Sequence, residues 1–571
     1  MRRVAIVGAG QSGALLALSL LRKNYEVTLM TDRTPEEVRS GPVMSSQCMF
    51  DSGLSIEREL GADDWAESCP AIENVAIAVH GRGRFGAQLE YYAQSVDQRV
   101  KCSAWMDEFA AAGGKLVIRR AGITDLEELA HDHDLVIVST GKGDLGRLFP
   151  PDREKSPFDR PQRALAVAYV HGLAPHPDGA DLSINMVPGV GECFILPALT
   201  TTGPCHIIVF EAVPGGPMDL WDDVRTPDQH LSRALQILEQ QFPHEFERCA
   251  NIELTDAGAV LRGRLTPTVR HPIATLPSGA TVLGMADAVV LNDPVTGQGA
   301  NNAAQSAGIY FDAILARGGD EFDEKWMKRT FDKFWRGWGQ WAVTWTNTML
   351  RPPAEHVLSL FDQAEHTPGL AATVAEAFND PRTTHNWWYD ADEARRIIEQ
   401  KKQAEQSRFD GRELRRALGQ YATGVTVITS RAPDGKRIGV TANSFTSVSM
   451  DPPLVLWCPA KKAPSLPDLT AATHFAVNVL AADQHDLSRQ FATPAEDKFA
   501  GVPISEGCGG VPLLDNAVAR FQCRTVQRVD AGDHIIFLGE VESYDADGGE
   551  PLVFHSGAYR LASRHPDYPE A

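Results

Sequence analysis

The sequence lacks the cysteine patterns that bind metals or build disulfide networks. Its nine cysteines are spread over 571 residues, and no two of them form a CxxC pair or another metal-ligand spacing. This pattern favours buried or free thiols over a disulfide framework. We expect buried or free thiols in a reducing cytoplasm, and no bound metal.

Long apolar runs and excess positive charge are also missing. No uninterrupted apolar run approaches the roughly 20 residues needed to cross a bilayer. Met1–Arg3 lead directly into Val4–Gly8, which is typical of a first β-strand rather than a signal peptide. The 54 basic and 75 acidic residues give a net charge of −21, which opposes binding to nucleic acid or anionic lipid. We expect a cytoplasmic protein without nucleic-acid or membrane partners.

The length and the texture of the sequence predict two domains. A chain of 571 residues exceeds what one hydrophobic core normally organises. A polar, helix-prone stretch at 390–416 separates alternating strand and helix patterns from short apolar runs such as Gly424–Thr429 and Leu454–Trp457. We therefore predict an α/β domain over residues 1–405 and a mainly β barrel domain over residues 406–571.

A glycine-rich turn follows the first predicted strand, Val4–Val7, and opens a helix. In this context Gly8 permits a tight turn, Gly10 lets a pyrophosphate approach the backbone, and Gly13 allows close packing of helix and strand. Asp32, after the second strand, is placed to bind a ribose. The pattern predicts a dinucleotide site, and a purely structural turn is the alternative.

Later segments favour FAD over a nicotinamide nucleotide at this turn. Leu135–Gly141 is an apolar strand that ends in small residues, suited to backbone contact with an adenylate. Thr281–Gly284 leads to Asp287 and to the glycine-rich Asp293–Asn301 at the start of another helix. A helix N-terminus with accessible amides stabilises the negative charge that reduced flavin carries near N1 and the C2 carbonyl.

Residues 1–405 resemble the styrene and indole monooxygenases, relatives of the hydroxybenzoate hydroxylase fold with its Rossmann-type FAD-binding domain. The motifs that carry this resemblance, besides the segments above, are Thr31–Arg33, Asp97–Arg99, Thr140–Lys142 and Trp345–Asn347. It implies that Arg99 contacts FAD, that Asp287 binds its ribityl chain, and that Pro294 is catalytic. A surface ion pair with Asp97 is the alternative for Arg99. The full set of implied FAD contacts is Gly8, Gly10, Gln11, Ser12, Gly13, Asp32, Arg33, Arg99, Thr140, Gly141, Asp287, Pro294, Gly297, Gln298, Gly299, Ala300 and Asn301.

Within that family, the predicted substrate pocket resembles that of the indole group. Ser45, Gln47 and Met49 form the Ser-x-Gln-x-Met arrangement of this group, where the styrene group has Asn-x-Val-x-His. Gln47 would bond an indole N–H, and Met49 would give an adaptable apolar wall. Further implied pocket residues are Ile72, Val75 and Ala93. For Ile72 and Val75 an ordinary core position is the alternative.

The second domain resembles the short-chain flavin reductases that serve two-component monooxygenases. The motifs are Tyr421–Val425, Gly439–Ser449, Asp451–Pro453, Phe475–Leu480 and Gly532–His534. This resemblance implies a split β-barrel, a homodimer, NADH as reductant, and a catalytic His534 that positions the nicotinamide or its phosphates. Closely spaced hydroxyls and amides would hold flavin loosely. The implied contacts are Thr441, Asn443, Ser444, Phe445, Ser447, Val448, Ser449, Lys462, Ser465, Phe491, Lys498 and His534.

Together the two resemblances imply a self-sufficient monooxygenase that uses FAD, NADH and O₂. NADH would reduce FAD in the second domain, and the reduced FAD would form a C4a-hydroperoxyflavin in the first domain and epoxidise indole or a styrene-like aromatic. One alternative is a flavin reductase whose first domain only carries FAD. Another is a halogenase, but Trp338–Trp341 lacks the Trp-x-Trp-x-Ile-Pro pattern of that class. A separate oxygenase that receives reduced FAD is a further partner left open.

Overall fold

The computed structural model describes residues 2–141, 145–406, 411–493, 495 and 497–562. Two units make up the chain, Met1–Ser407 and Arg408–Ala571. Over the described ranges, no helix combines the length and the apolar character needed to span a membrane.

The first unit mixes strands and helices throughout. Its strands are β1 Arg3–Val7, β2 Glu26–Thr31, β3 Ala71–Val79, β4 Arg84–Gln94, β5 Lys115–Ile118, β6 Leu135–Val138, β7 Ala164–His171, β8 Leu182–Val187, β9 Gly191–Thr200, β10 Gly203–Ala212, β11 Glu253–Leu254, β12 Val260–Arg264, β13 Thr268–Val269, β14 Ile273–Thr275, β15 Thr281–Gly284 and β16 Val290–Leu291. Its α-helices are α1 Gln11–Arg22, α2 Pro35–Arg39, α3 Asp51–Glu59, α4 Gln98–Ala111, α5 Ile123–Asp132, α6 Pro227–Gln241, α7 Pro243–Phe246, α8 Gln298–Arg317, α9 Glu324–Phe334, α10 Gln340–Met349, α11 Glu355–Ala364, α12 Pro368–Asn379 and α13 Ala391–Gln406.

A six-stranded sheet in the order β14-β15-β6-β1-β2-β5 organises the nucleotide turn. β1 pairs in parallel with β2 on one side and with β6 on the other. Val4–Val7 are buried, as expected for a parallel sheet that is covered on both faces. The strand order reverses between β1 and β6, and ligands bind outside the carboxyl ends of strands at such a switch point.

A second, larger sheet has the order β11-β7-β10-β9-β8-β3-β4, with β12 also paired to β7. It is antiparallel except for the β3–β8 pair. Successive residues of its strands face opposite sides. Ile207 therefore packs in a core with helices α11 and α12, whereas Ile208 packs in a core with α6. Both faces of this sheet are covered by helices.

The second unit is mainly β. Its strands are β17 Thr423–Gly424, β18 Thr426–Arg431, β19 Arg437–Ala442, β20 Thr446–Met450, β21 Pro453–Trp457, β22 His474–Val479, β23 Ile504–Glu506, β24 Pro512–Leu514, β25 Ala519–Ala531, β26 His534–Asp545, β27 Leu552–His555 and β28 Ala558–Leu561. Its helices are α14 Gly411–Leu418, α15 Leu466–Ala471 and α16 His485–Ala492. Seven strands form one antiparallel sheet in the order β19-β18-β22-β25-β26-β21-β20. Ile428, Trp457, Val477 and Phe537 share its main core.

Candidate functional site

The glycine turn between β1 and α1 combines very tight packing with one open position. Gly8 has a φ of +111°, and a Cβ on Gly13 would lie 1.9 Å from the carbonyl oxygen of Gly8. At Gly10, by contrast, a Cβ would meet no atom within 4 Å, and no side chain caps the helix that starts there. The turn therefore offers open space and uncapped N–H groups to an anion, which fits the pyrophosphate of FAD.

The ends of β2 and β6 lie beside this turn. Asp32 follows β2 with a side chain that is 60% exposed, and Arg33 lies 3.8 Å away. Gly141 follows β6 so closely packed that a Cβ would lie 2.5 Å from the carbonyl oxygen of Asp287. The structure thus brings Thr140–Gly141 and Asp287 together, as expected if both contact one cofactor. Lys142 lies outside the described residues.

The glycine-rich segment that begins at Asp293 forms the predicted helix start. Pro294–Thr296 make a short 3-10 turn, Gly297 adopts a φ of +65°, and α8 follows at Gln298 without a side-chain cap. At Gly299 an added Cβ would meet nothing within 4 Å. Backbone amides and open space again coincide, and this arrangement fits the anionic edge of a flavin ring.

The polar side chains of this segment point inward. Asn301 is fully buried, donates to the carbonyls of Cys48 and Gly297, and accepts from the amide of Phe50. Gln298 donates to the carbonyls of Thr296 and Phe378. These side-chain hydrogen bonds fix the loop.

The apolar residues of the predicted substrate pocket are buried in two clusters. Ile72 stands opposite Ala93 on the neighbouring strand, and both share a core with Val75. Met49 packs in a separate small cluster and contacts the Gln11 side chain at 2.7 Å. Through Gln11, the substrate segment therefore touches the nucleotide turn.

Hydrogen bonds fix both the oxygen and the nitrogen of the Gln47 side-chain amide. Ser45 donates to Gln47 Oε1, and Gln47 Nε2 donates to the carbonyl of Val96. Tyr169, which the sequence did not single out, donates to the carbonyl of Ser45 at 2.9 Å. The fixed amide leaves one lone pair of Oε1 for a substrate N–H.

Arg99 differs from its predicted role. Its guanidinium is 2% exposed and donates to Asp97, Asp256, Thr200 and the carbonyl of Gly41. These contacts use all five N–H donors of an arginine. In this structure Arg99 has no donor left for FAD. The alternative of a surface ion pair is also wrong, because the pair with Asp97 is buried.

A buried ion pair that the sequence did not reveal contacts both the nucleotide turn and the substrate segment. Lys101 and Glu57 are each 2% exposed in their side chains and lie 2.8 Å apart. Lys101 also contacts Met49, and Glu57 accepts from Gln11. Burial raises the pKa of Glu57, and Lys101 opposes this shift. In the sequence, the one indication of this ion pair was a charged residue between the apolar residues of a helix.

A second buried group of charges lies where the glycine-rich segment Asp293–Asn301 begins. Asp293 contacts Glu211, while Arg163 forms a two-bond pair with Glu192. Burial raises the pKa of Asp293 to about 6 and holds the pKa of Glu211 well above its usual range. The lone glutamate in the apolar run Ile207–Val213 could have indicated this group.

The predicted flavin segment of the second unit is open to solvent. Asn443 and residues 446–448 are exposed, and a bulge between Ser447 and Ser449 leaves Val448 48% exposed. Ser444 binds the amide of Cys458, and Thr441 donates to the carbonyl of Ser488. Phe445 packs on Phe521 with ring centres 5.6 Å apart.

Four further predicted residues of this unit lie outside that segment. His534 is 43% exposed and bonds Asp533 at 2.8 Å. Ser465 precedes helix α15, and Lys498 donates to the carbonyl of Phe491. Phe491 itself is fully buried against Phe499, so its ring offers no open face to a cofactor. Burial lowers the pKa of Lys498.

Two family models match the chain. Residues 141–248 match the model described as "Styrene monooxygenase A putative substrate binding domain". Residues 418–563 match the flavin reductase like domain. The two matches fall in different units of the chain.

Individual relatives also match the two units of the chain separately. Styrene monooxygenase StyA of Pseudomonas fluorescens is 32% identical over 399 residues, which cover 66% of this chain and 93% of the relative. FMN reductase (NADH) SmoA of Agrobacterium fabrum is 46% identical over 155 residues, 27% of this chain and 88% of the relative. A probable flavin reductase of Rhizobium meliloti is 46% identical over 159 residues, 27% of this chain and 51% of the relative.

Proposed function

The chain belongs to the styrene monooxygenase family and is an FAD-dependent monooxygenase fused to an NADH-dependent flavin reductase, and from that premise we propose that its first unit epoxidises indole. The observation that carries the proposal is the paired open space at Gly10 and Gly299, each beside an uncapped helix start. One such place suits a pyrophosphate, and the other suits a flavin ring.

We propose a division of binding tasks among the residues of the first unit, in a Rossmann-type arrangement. The amides at the start of α1 bind the pyrophosphate, and the Asp32 carboxylate accepts hydrogen bonds from a ribose. Asp287 binds the ribityl chain, and the amides that follow Pro294 bind the anionic edge of the ring. Reduced FAD, once bound, supplies the activation of O₂ and the oxygen atom that is transferred.

The substrate is proposed to lie among Met49, Ile72, Val75 and Ala93. These side chains exclude water and hold the aromatic ring, while Gln47 Oε1 accepts the indole N–H. The support is the fixed orientation of Gln47, whose Nε2 is already committed to Val96. A hydrocarbon such as styrene makes no use of that acceptor.

In the second unit we propose a split barrel that binds flavin only transiently. Its hydroxyl-bearing strand β20 is exposed, and the exposed His534 is free to approach the nicotinamide of NADH from solvent. A homodimer is proposed through apolar side chains that are left on the surface of this unit. They include Tyr421, Met450 and Tyr544, which are 77%, 89% and 71% exposed.

The deciding experiment supplies indole, NADH, FAD and air to the full chain. Formation of a blue pigment, with a higher rate on indole than on styrene, supports the proposal. NADH consumption that yields only hydrogen peroxide would show that the chain is a reductase with an FAD-carrying first unit. Product formation that requires chloride would show halogenation.

A further inference from the structure

Four ionisable side chains meet inside the first unit where the segment Asp293–Asn301, the proposed flavin loop, begins. Arg163, Glu192, Glu211 and Asp293 are 7%, 9%, 1% and 0% exposed. Arg163 binds both oxygens of Glu192, at 2.6 and 2.8 Å, and its third donor group binds the carbonyl of Gln162. The one cation of the group is thus committed to Glu192, and Glu211 faces Asp293 across a hydrogen-bonding contact.

The two facing carboxyl groups have oxygen atoms that accept no hydrogen bond. Asp293 Oδ1 accepts from the amide of Val295 at 3.3 Å. Among the described residues, no N–H or O–H group reaches Asp293 Oδ2 or either oxygen of Glu211. Two buried carboxylates in contact repel each other, and each has at least one oxygen that accepts no hydrogen bond. A proton held between them removes both problems.

We propose that Glu211 and Asp293 share one proton and that this acid pair takes up a second proton when anionic reduced flavin binds at the adjoining loop. The inference rests on the proposed function, because it takes the Pro294–Gly299 segment as the flavin-ring site. In the uptake step one carboxylate oxygen gains a proton from solvent, and no other bond or oxidation state changes.

Position explains why the pair and the ligand are coupled. Asp293 directly precedes the turn Pro294–Thr296, at the end of α8 that attracts negative charge. An ionised Asp293 opposes an anion at that end, and a protonated Asp293 does not. Burial raises the pKa of Asp293 to about 6, although the contact with Glu211 and the charge of Arg163 lower it. The pair therefore has room for a second proton at neutral pH.

The first experiment tests the shared proton without any cofactor. Infrared spectra of the flavin-free full chain should show a protonated carboxylic acid at neutral pH. Glu211→Gln should remove that signal, and Glu376→Gln, which changes a half-buried glutamate elsewhere in the unit, should leave it. A spectrum that Glu211→Gln does not alter would overturn the shared proton.

The second experiment tests the coupling by anaerobic calorimetry at pH 7 in buffers of different ionisation enthalpy. Reduced FAD should draw about one more proton into the wild type than into Asp293→Asn. The affinity of the wild type should fall by up to tenfold per pH unit between the pKa of the pair in the free protein and its higher pKa in the complex. Oxidised FAD carries the same pyrophosphate on a neutral ring, and it should show no such difference. The second unit is identical in both proteins, so its flavin binding cancels.

The outcomes separate this inference from the proposed function. If Gly10→Val lowers the binding of reduced FAD but Asp293→Asn leaves proton uptake unchanged, the coupling is wrong and the flavin site stands. If Gly10→Val leaves flavin binding unchanged, the flavin site itself is wrong.

Discussion

The two units differ in the exposure of the polar side chains in their predicted flavin segments. In the first unit, Gln11, Ser12, Gln298 and Asn301 are each at most 4% exposed, and hydrogen bonds fix the side chains of Gln11, Gln298 and Asn301. In the second unit, the strand β20 is largely exposed, and Val448 is 48% exposed. A rigid, buried frame suits a ring that must be oriented for oxygen transfer. An open strand suits a ring that must arrive and leave.

Substitution at Gly10 should give the largest effect and tests whether the buried frame holds flavin. Gly10→Val should fold, since a Cβ meets nothing within 4 Å, but the branched side chain occupies the space of the pyrophosphate. We expect indole oxygenation to fall about 100-fold, with NADH oxidation in the presence of FAD unchanged. Product formation and NADH absorbance measure the two rates.

The matched control for this change is Gly263→Val, which also places a side chain in open space but on strand β12. It should leave both rates unchanged. Full oxygenation by Gly10→Val would show that the pyrophosphate binds elsewhere.

His534→Ala should reverse the pattern with a smaller effect. We expect NADH oxidation to slow about tenfold or more, because the exposed imidazole no longer positions the nicotinamide. Oxygenation driven by chemically reduced FAD should stay intact. His485→Ala is the control, since His485 is also an exposed histidine beside an aspartate in this unit. If both activities fall together in His534→Ala, the two units do not act separately.

Gln47→Val should have the smallest effect, and it tests how the first unit selects between indole and styrene. Loss of the acceptor for an indole N–H should lower the kcat/KM ratio of indole to styrene by about tenfold. A purely structural disturbance lowers both kcat/KM values alike, so the ratio isolates the role of the acceptor. An unchanged ratio would remove Gln47 from substrate recognition.

Local patterns predicted the elements around the first site well. The strands β1, β6 and β15 and the helix α1 follow from apolar runs and from glycines, whose effects act over a few neighbouring residues. The partners of buried charges could not be predicted in this way. Arg99 pairs with Asp256, which is 157 positions away, and only the folded sheets bring them together. The same reason hid the contact of Glu211 with Asp293, although a glutamate within an apolar strand was visible.

The saturated guanidinium of Arg99 also bears on how flavin can be exchanged. Arg99 lies on α4, while Thr200 ends β9 and Asp256 lies between β11 and β12. Separating the two sheets of the first unit at this point would take three of the five acceptors, Thr200 Oγ1 and both oxygens of Asp256, away from a dehydrated cation, which is costly. We therefore expect these sheets to remain docked throughout turnover. Flavin must then enter and leave the first unit without a separation of these two sheets.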